Sequence, residues 1–168
     1  MTCPVLIRTE KPEDVATISA LISVAFRKSP HGDGGEAAIV EQLRDSGDLA
    51  LSLVAVAELK GIVGQVAFSP VKIESRLQKW FGLGPVSVAP EHRRRGIAAA
   101  LIRRGLEMLE TQSARGCVVL GNPAYYRRFG FEADEGMRYP GPPPAYFQRL
   151  VLAGDVPTGI VSYAPAFG

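Results

Sequence analysis

Residues 84–98 read Gly-Pro-Val-Ser-Val-Ala-Pro-Glu-His-Arg-Arg-Arg-Gly-Ile-Ala. A strand-like apolar piece enters a tight loop, and apolar residues at helical spacing begin at Ile97. The first N–H groups of a helix have no internal partner and carry partial positive charge, so they bind phosphate. Gly96 keeps a Cβ out of the way of an approaching anion. Arg93, Arg94 and Arg95 add charge-assisted hydrogen bonds. These types in this order suit a pyrophosphate. They do not spell the Gly-x-x-x-x-Gly-Lys-Ser/Thr loop of nucleotide hydrolases. Nor do they spell the Gly-x-Gly-x-x-Gly of dinucleotide folds, whose acidic ribose partner would fall near residue 115. The net charge of the chain is only +2, yet residues 93–128 hold eight arginines against two acids, Glu107 and Glu110. That concentration suits a small polyanion or a nucleic acid, or else a solvated basic helix face.

Other residues could also carry chemistry. On residue type alone, Tyr125 and Tyr126 read as packing aromatics, and Asn122 as either a turn former or a polar contact. Cys117 would need an activating neighbour to act as a nucleophile; the sequence supplies none, so it reads as core. His31 and His92 have the side chain best suited to a base near neutrality, and Glu58 and Glu91 are carboxylate candidates. Two cysteines, Cys3 and Cys117, are too few for a disulfide framework, which points to a reducing, cytoplasmic setting. Val5, Leu6 and Ile7 form an apolar run far shorter than a signal-peptide core, ended by Arg8. No run approaches the ~18 apolar residues of a membrane span.

The elements around these residues follow from periodicity. Val5–Arg8 reads as a strand, and residues 12–27 as an amphipathic helix with Pro12 in its first turn. Ser29–Gly35 is a breaker cluster, followed by a shorter helix that ends at Gly47. Leu49–Ala57 and Ile62–Phe68 read as strands joined by a turn at 58–61, with Val71–Ile73 an extension beyond Pro70. Trp80–Val88 is a strand punctuated by Gly82, Gly84 and Pro85, which signals a bulge or a close approach. A helix over 96–112, a buried strand over 116–120 and a short helix over 123–129 come next. Strands at 146–152 and 159–163 flank the tail, behind a Pro-rich stretch at 140–144. With 168 residues and no long linker, a single domain over 1–168 is expected. Its class is mixed α+β around one central sheet.

The whole arrangement resembles the GNAT family of acetyl-CoA-dependent N-acetyltransferases. Arg93, Gly96 and Ala98 match the family's Gln/Arg-x-x-Gly-x-Gly/Ala signature in register. Tyr126 stands four residues before Gly130-Phe131, as a family tyrosine does. The string Gly-Asn-Pro-Ala-Tyr-Tyr-Arg-Arg-Phe-Gly-Phe over 121–131 is similar to a bacterial branch described only as predicted N-acetyltransferases. The resemblance implies a mostly antiparallel sheet with splayed fourth and fifth strands and helices on both faces. It implies that pantetheine lies along Val86, Ser87 and Val88, with an N–H near Val86 or Ser87 facing the thioester oxygen. Arg93, Arg94, Arg95, Gly96, Ile97 and Ala98 would hold the pyrophosphate. Some of Arg94, Arg95, Arg127 and Arg128 would reach the 3′-phosphate or adenine, Asn122 would face pantetheine, and Tyr126 would protonate the departing thiolate as general acid.

The family often places a glutamate base on the fourth strand; between Trp80 and Pro90 this chain has none. Glu58, His31, Glu91, His92, a water chain or an amine of lowered pKa are the substitutes. The expected reaction is direct transfer of an acetyl group to an amine in a ternary complex. Acetyl-CoA is the co-substrate, and no metal is called for. A non-catalytic acyl-CoA sensor is the alternative. A nucleic-acid partner would want aromatics interleaved with the arginines and is disfavoured. No membrane is expected as partner, and the family's habit suggests a homodimer.

Overall fold

The computed structural model describes residues 4–27 and 35–168. Eight strands form one mixed sheet: β1 (Val5–Thr9), β2 (Leu51–Ala57), β3 (Gly61–Ile73), β4 (Arg76–Val88), β5 (Gly116–Leu120), β6 (Met137–Arg138), β7 (Phe147–Val151) and β8 (Gly159–Ser162). Their order is β1-β2-β3-β4-β5-β7, with β8 on β3 and β6 on β8. The helices are α1 (Val15–Phe26), α2 (Glu36–Ser46), α3 (Ile97–Thr111) and α4 (Pro123–Tyr126). This is the mixed α/β class expected. The chain divides into two compact units, Met1–Phe68 with Pro85–Gly105, and Ser69–Gly84 with Leu106–Gly168.

In the first unit, β1, β2 and the start of β3 form an antiparallel meander. Ile18 and Ile22 of α1 and Val40 of α2 pack with Val54 and Ala67 on one face of it. Burying each such aliphatic side chain stabilises by about 1.5–3 kcal/mol. Successive strand residues face opposite ways, so Phe68 turns from α1 and α2 toward α3. There a Cβ on Gly105 would stand 2.3 Å from its ring. Gly64 similarly lies under Ile97 and Leu101. Helices therefore cover both faces. A polar chain ties α2 to the strands: Arg44 donates to Glu10, the Ser52 hydroxyl donates to Glu10, and Gln65 Nε2 donates to Ser52 Oγ at 3.0 Å. Gly47, with φ +82°, ends α2 as its position predicts.

In the second unit, β5 pairs in parallel with β4 over Trp80–Gly82 and antiparallel with β7 along its full length. The parallel ladder ends at Gly82, and Gly84 follows with φ +137°. The irregularity read from Gly82, Gly84 and Pro85 is therefore present. The core gathers Val71, Ile73, Trp80, Val118, Met137, Phe147 and Val161. Gly116 has no side chain because the Trp80 ring occupies that space, 2.3 Å from where a Cβ would stand.

Three differences from the sequence reading have local causes. The first helix begins with a 3-10 turn over Pro12–Asp14 before α1. There the Asp14 carboxylate accepts from Lys11 N at 2.7 Å and from Arg8, which holds it below the usual carboxylate range. β3 runs straight through Pro70, because that residue falls between the last β2 pair at Phe68 and the first β8 pair at Lys72. A missing N–H costs nothing where no partner is waiting. The two-residue β6 was not expected; it follows a turn in which Asp134 Oδ1 accepts from Gly136 N at 2.8 Å.

Candidate functional site

The first unit contains the predicted phosphate loop. β4 ends at Val88, and a 3-10 turn over Pro90–His92 leads to Arg93 in an extended conformation. Arg94 has φ +64° and Gly96 φ +79°, and α3 starts at Ile97. Ala100 N donates to Gly96 O at 3.0 Å, closing the first turn. The N–H groups ahead of it have no acceptor within the helix. Left-handed φ, rather than crowding, requires glycine at 96: nothing lies within 4 Å of where its Cβ would stand. Open space over bare helix N–H groups, flanked by the exposed Arg94 and Arg95, fits a phosphate group.

The three arginines are not equivalent. Arg93 Nη2 donates to Ala25 O at 2.7 Å, at the C-terminal end of α1. A cation is favourable there because the last carbonyls of a helix lack partners and carry negative partial charge. Nη2 of Arg93 thus ties the loop to α1, while the residue itself is exposed. His92 was expected to face solvent or cofactor. It is instead buried, with no hydrogen bond to Nδ1 among the described residues and Glu91 Oε1 4.0 Å away. Val86 and Val88 are half-buried. Ser87 is buried, and its hydroxyl has no partner among the described residues.

The second unit contains the tyrosine. Asn122 is the N-cap of α4, its Oδ1 accepting from Ala124 N at 2.9 Å. That engages one polar atom of Asn122 in the turn. Tyr126 ends α4, half-buried, edge-on to Tyr125 at 5.1 Å and to Phe131 at 6.0 Å. Its ring lies over Gly121, where a Cβ would come within 2.5 Å of Cε2. Gly121 is not singled out by the sequence; the available signal is a glycine five residues before a turn-borne aromatic. Burial, and to a lesser degree Tyr125 and Cys117, push the Tyr126 phenol up to about 12. Arg128 is exposed, with Nε donating to Tyr125 O at 2.8 Å and its guanidinium 4.2 Å above the Tyr125 ring. This posture serves Tyr125 and leaves the rest of the fork at the surface.

The remaining candidates sort by burial. Cys117 is free and buried, and burial raises its thiol far above the ordinary range, which suits core packing and not nucleophilic attack. Glu58 and Glu91 are exposed. His31 lies outside the described residues. No helix among the described residues is long and apolar enough to cross a membrane.

Comparison with known proteins agrees with this geometry. The acetyltransferase (GNAT) domain matches residues 6–133. An uncharacterized N-acetyltransferase, YhbS, of Escherichia coli strain K12 is 38% identical over 169 residues, covering 96% of this chain and 98% of the relative. A GNAT family acetyltransferase from Brucella melitensis, solved in complex with acetyl-CoA, is 43% identical with a TM-score of 0.88 and 99% coverage of both chains. The solved E. coli YhbS in complex with CoA is 35% identical with a TM-score of 0.90, covering 99% of this chain and 93% of that one. The chain belongs to the GNAT family and is an N-acetyltransferase of that family.

Proposed function

We propose that the chain binds acetyl-CoA and transfers its acetyl group directly to a primary amine. The turn over Arg93–Gly96 carries this reading: two residues in left-handed conformation set bare helix N–H groups and two exposed guanidinium groups at one open place. The acetyl-CoA-bound relative supports it. Backbone N–H groups of Gly96, Ile97 and Ala98, with Arg94 and Arg95, hold the pyrophosphate. Val86, Ser87 and Val88 offer backbone to pantetheine, and an N–H of Val86 or Ser87 stabilises the oxyanion. Asn122 and Arg128 contribute at the margin, because each already has a local partner.

The amine nitrogen attacks the thioester carbon. A C–N bond forms, the C–S bond breaks, and the thiolate takes the Tyr126 proton. A phenol of pKa about 12 is a weak acid for this work, since a thiol titrates near ~8.5. A free phenolate would cost about 5 kcal/mol at that mismatch. The proton shed by the nitrogen once it has bonded to the acyl carbon must therefore return to Tyr126 as the phenol donates. Tyr126 acts as a conduit, and the net transfer is from amine to thiol.

The test is thiol release from acetyl-CoA against polyamines, amino acids, aminoglycosides and short peptides, with acceptor-free blanks. Release that depends on one amine class supports the reading. Tight acetyl-CoA binding with no release on any amine would instead support the acyl-CoA sensor.

A further inference from the structure

The second unit holds a cavity of about 820 Å³, lined by residues from 133 to 147 and by Ile160. Small-molecule sites typically run from ~300 to ~1,000 Å³. The lining is mostly apolar and includes Met137, Tyr139, Phe147, Pro140, Pro142 and Pro144. Met137 and Phe147 belong to the buried core. Tyr139 packs on Phe147 with centroids 5.5 Å apart and meets Tyr163 edge-on at 5.1 Å. The prolines fix φ in their part of the lining. The cavity is therefore largely preformed, and a ligand does not have to order it.

Three charged side chains line this space: Asp134, Glu135 and Arg138. Asp134 is already engaged, accepting from Gly136 N at 2.8 Å and from Arg149 Nε at 3.0 Å. Glu135 and Arg138 are exposed, and neither side chain has a hydrogen bond or ion pair among the described residues. An apolar cavity with one uncommitted carboxylate and one uncommitted guanidinium matches a ligand with an apolar body, one cationic group and one anionic group. The loop that walls the cavity is also tied to the tyrosine's seat. Gly121 N donates to Tyr146 O at 2.9 Å, Gln148 Nε2 donates to Gly121 O at 3.1 Å, and the Tyr126 ring lies over Gly121.

We infer that this cavity binds an apolar amino acid as the acetyl acceptor, its side chain among Tyr139, Phe147 and the prolines, its carboxylate toward Arg138 and its amine drawn by Glu135. The acceptor role rests on the acetyl-transfer reading above; the binding does not. As acceptor, its nitrogen takes the acetyl carbon from sulfur, and CoA leaves as the thiol with the displaced amine proton.

The test is calorimetric titration of the protein with L-phenylalanine, phenethylamine, 3-phenylpropionate and L-lysine, without acetyl-CoA. Phenylalanine is expected to bind best, and loss of either ligand charge to weaken binding about three- to fivefold, as for exposed ion pairs. Arg138→Gln should erase the preference for phenylalanine over phenethylamine, and Glu135→Gln the preference over phenylpropionate. Ala145→Trp, which fills the cavity from its wall, should weaken all three aromatic ligands. In each variant, acetyl-CoA affinity and near-ultraviolet circular dichroism should match the wild type. Equal binding of lysine and phenylalanine, unchanged preferences in both charge variants, or no binding at millimolar ligand would overturn the inference while leaving acetyl transfer standing. Binding of phenylalanine without thiol release, in a protein that acetylates another amine, would overturn the acceptor role. Failure to bind acetyl-CoA would count against the acetyl-transfer reading and the acceptor role that rests on it, and leave ligand binding by the cavity standing.

Discussion

Replacing Tyr126 by Phe should change how stability depends on alkaline pH. The phenol titrates near ~10 in an unfolded chain and at about 12 in the fold, mainly because burial penalises the phenolate. The folded state holds the proton more tightly. This contribution is therefore fully present below pH ~10 and is lost as the pH rises through about 12. At pH ~11, one unit from each value, the loss works out to about 1.4 kcal/mol. The Tyr163 phenol is raised as well, so the wild type should weaken through both groups, and only the Tyr126 share should vanish in the variant. No hydrogen bond contributes to the Tyr126 shift. Tyr126→Phe should accordingly leave stability at pH ~7 within about 0.5 kcal/mol of wild type. Urea unfolding at pH 8 and pH 11, followed by circular dichroism, reads both quantities. Equal losses in the two proteins between these pH values would refute the idea that burial holds this phenol protonated.

The same substitution and two others probe the site. Tyr126→Phe should lower kcat about a hundredfold, the weak end of general-acid effects given so poor an acid, while acetyl-CoA affinity stays within error in a direct titration. In wild type, no loss of kcat between pH 8 and 10 should trace to this residue; a titration there that Tyr126→Phe abolishes would contradict the assignment. Gly96→Ala should cost about 1–2 kcal/mol from the left-handed φ and weaken acetyl-CoA binding in the same titration. Arg93→Ala should lower stability by about 1 kcal/mol, because Ala25 O loses its donor; intact acetyl-CoA affinity would show the side chain anchors the loop and nothing more.

Much of this protein could be read before its structure. α3 and β5 fall where apolar spacing puts them, because one face of each must be buried and the period records it. Gly47, Gly96 and Gly130 mark helix boundaries since all three need positive φ. What escaped depends on neighbours far along the chain. Pro70 reads as a break, and only the change of ladder partner from β2 to β8 makes it harmless. Arg93 reads as a phosphate ligand by type, and nothing nearby in sequence announces that its Nη2 donates to a carbonyl 68 residues away. His92 looks like a surface residue of a polar loop, yet it is buried. The cavity of the second unit is marked in sequence only by the Pro-rich stretch at 140–144. Its polarity depends on which of Asp134, Glu135 and Arg138 finds a partner within the fold, and Arg149, which engages Asp134, gives no sign of that in its own position.

The most direct test of acetyl transfer follows the acetyl group itself. Acetyl-CoA carrying an isotopic label on the acetyl carbons would be incubated with the protein and an active amine, and all species weighed by mass spectrometry. The account predicts labelled N-acetyl product and free CoA in equal amounts, formed only when protein and amine are both present, with the protein's own mass unchanged. Label retained on the protein would contradict direct attack, and acetyl-CoA bound but never consumed with any amine would contradict catalysis.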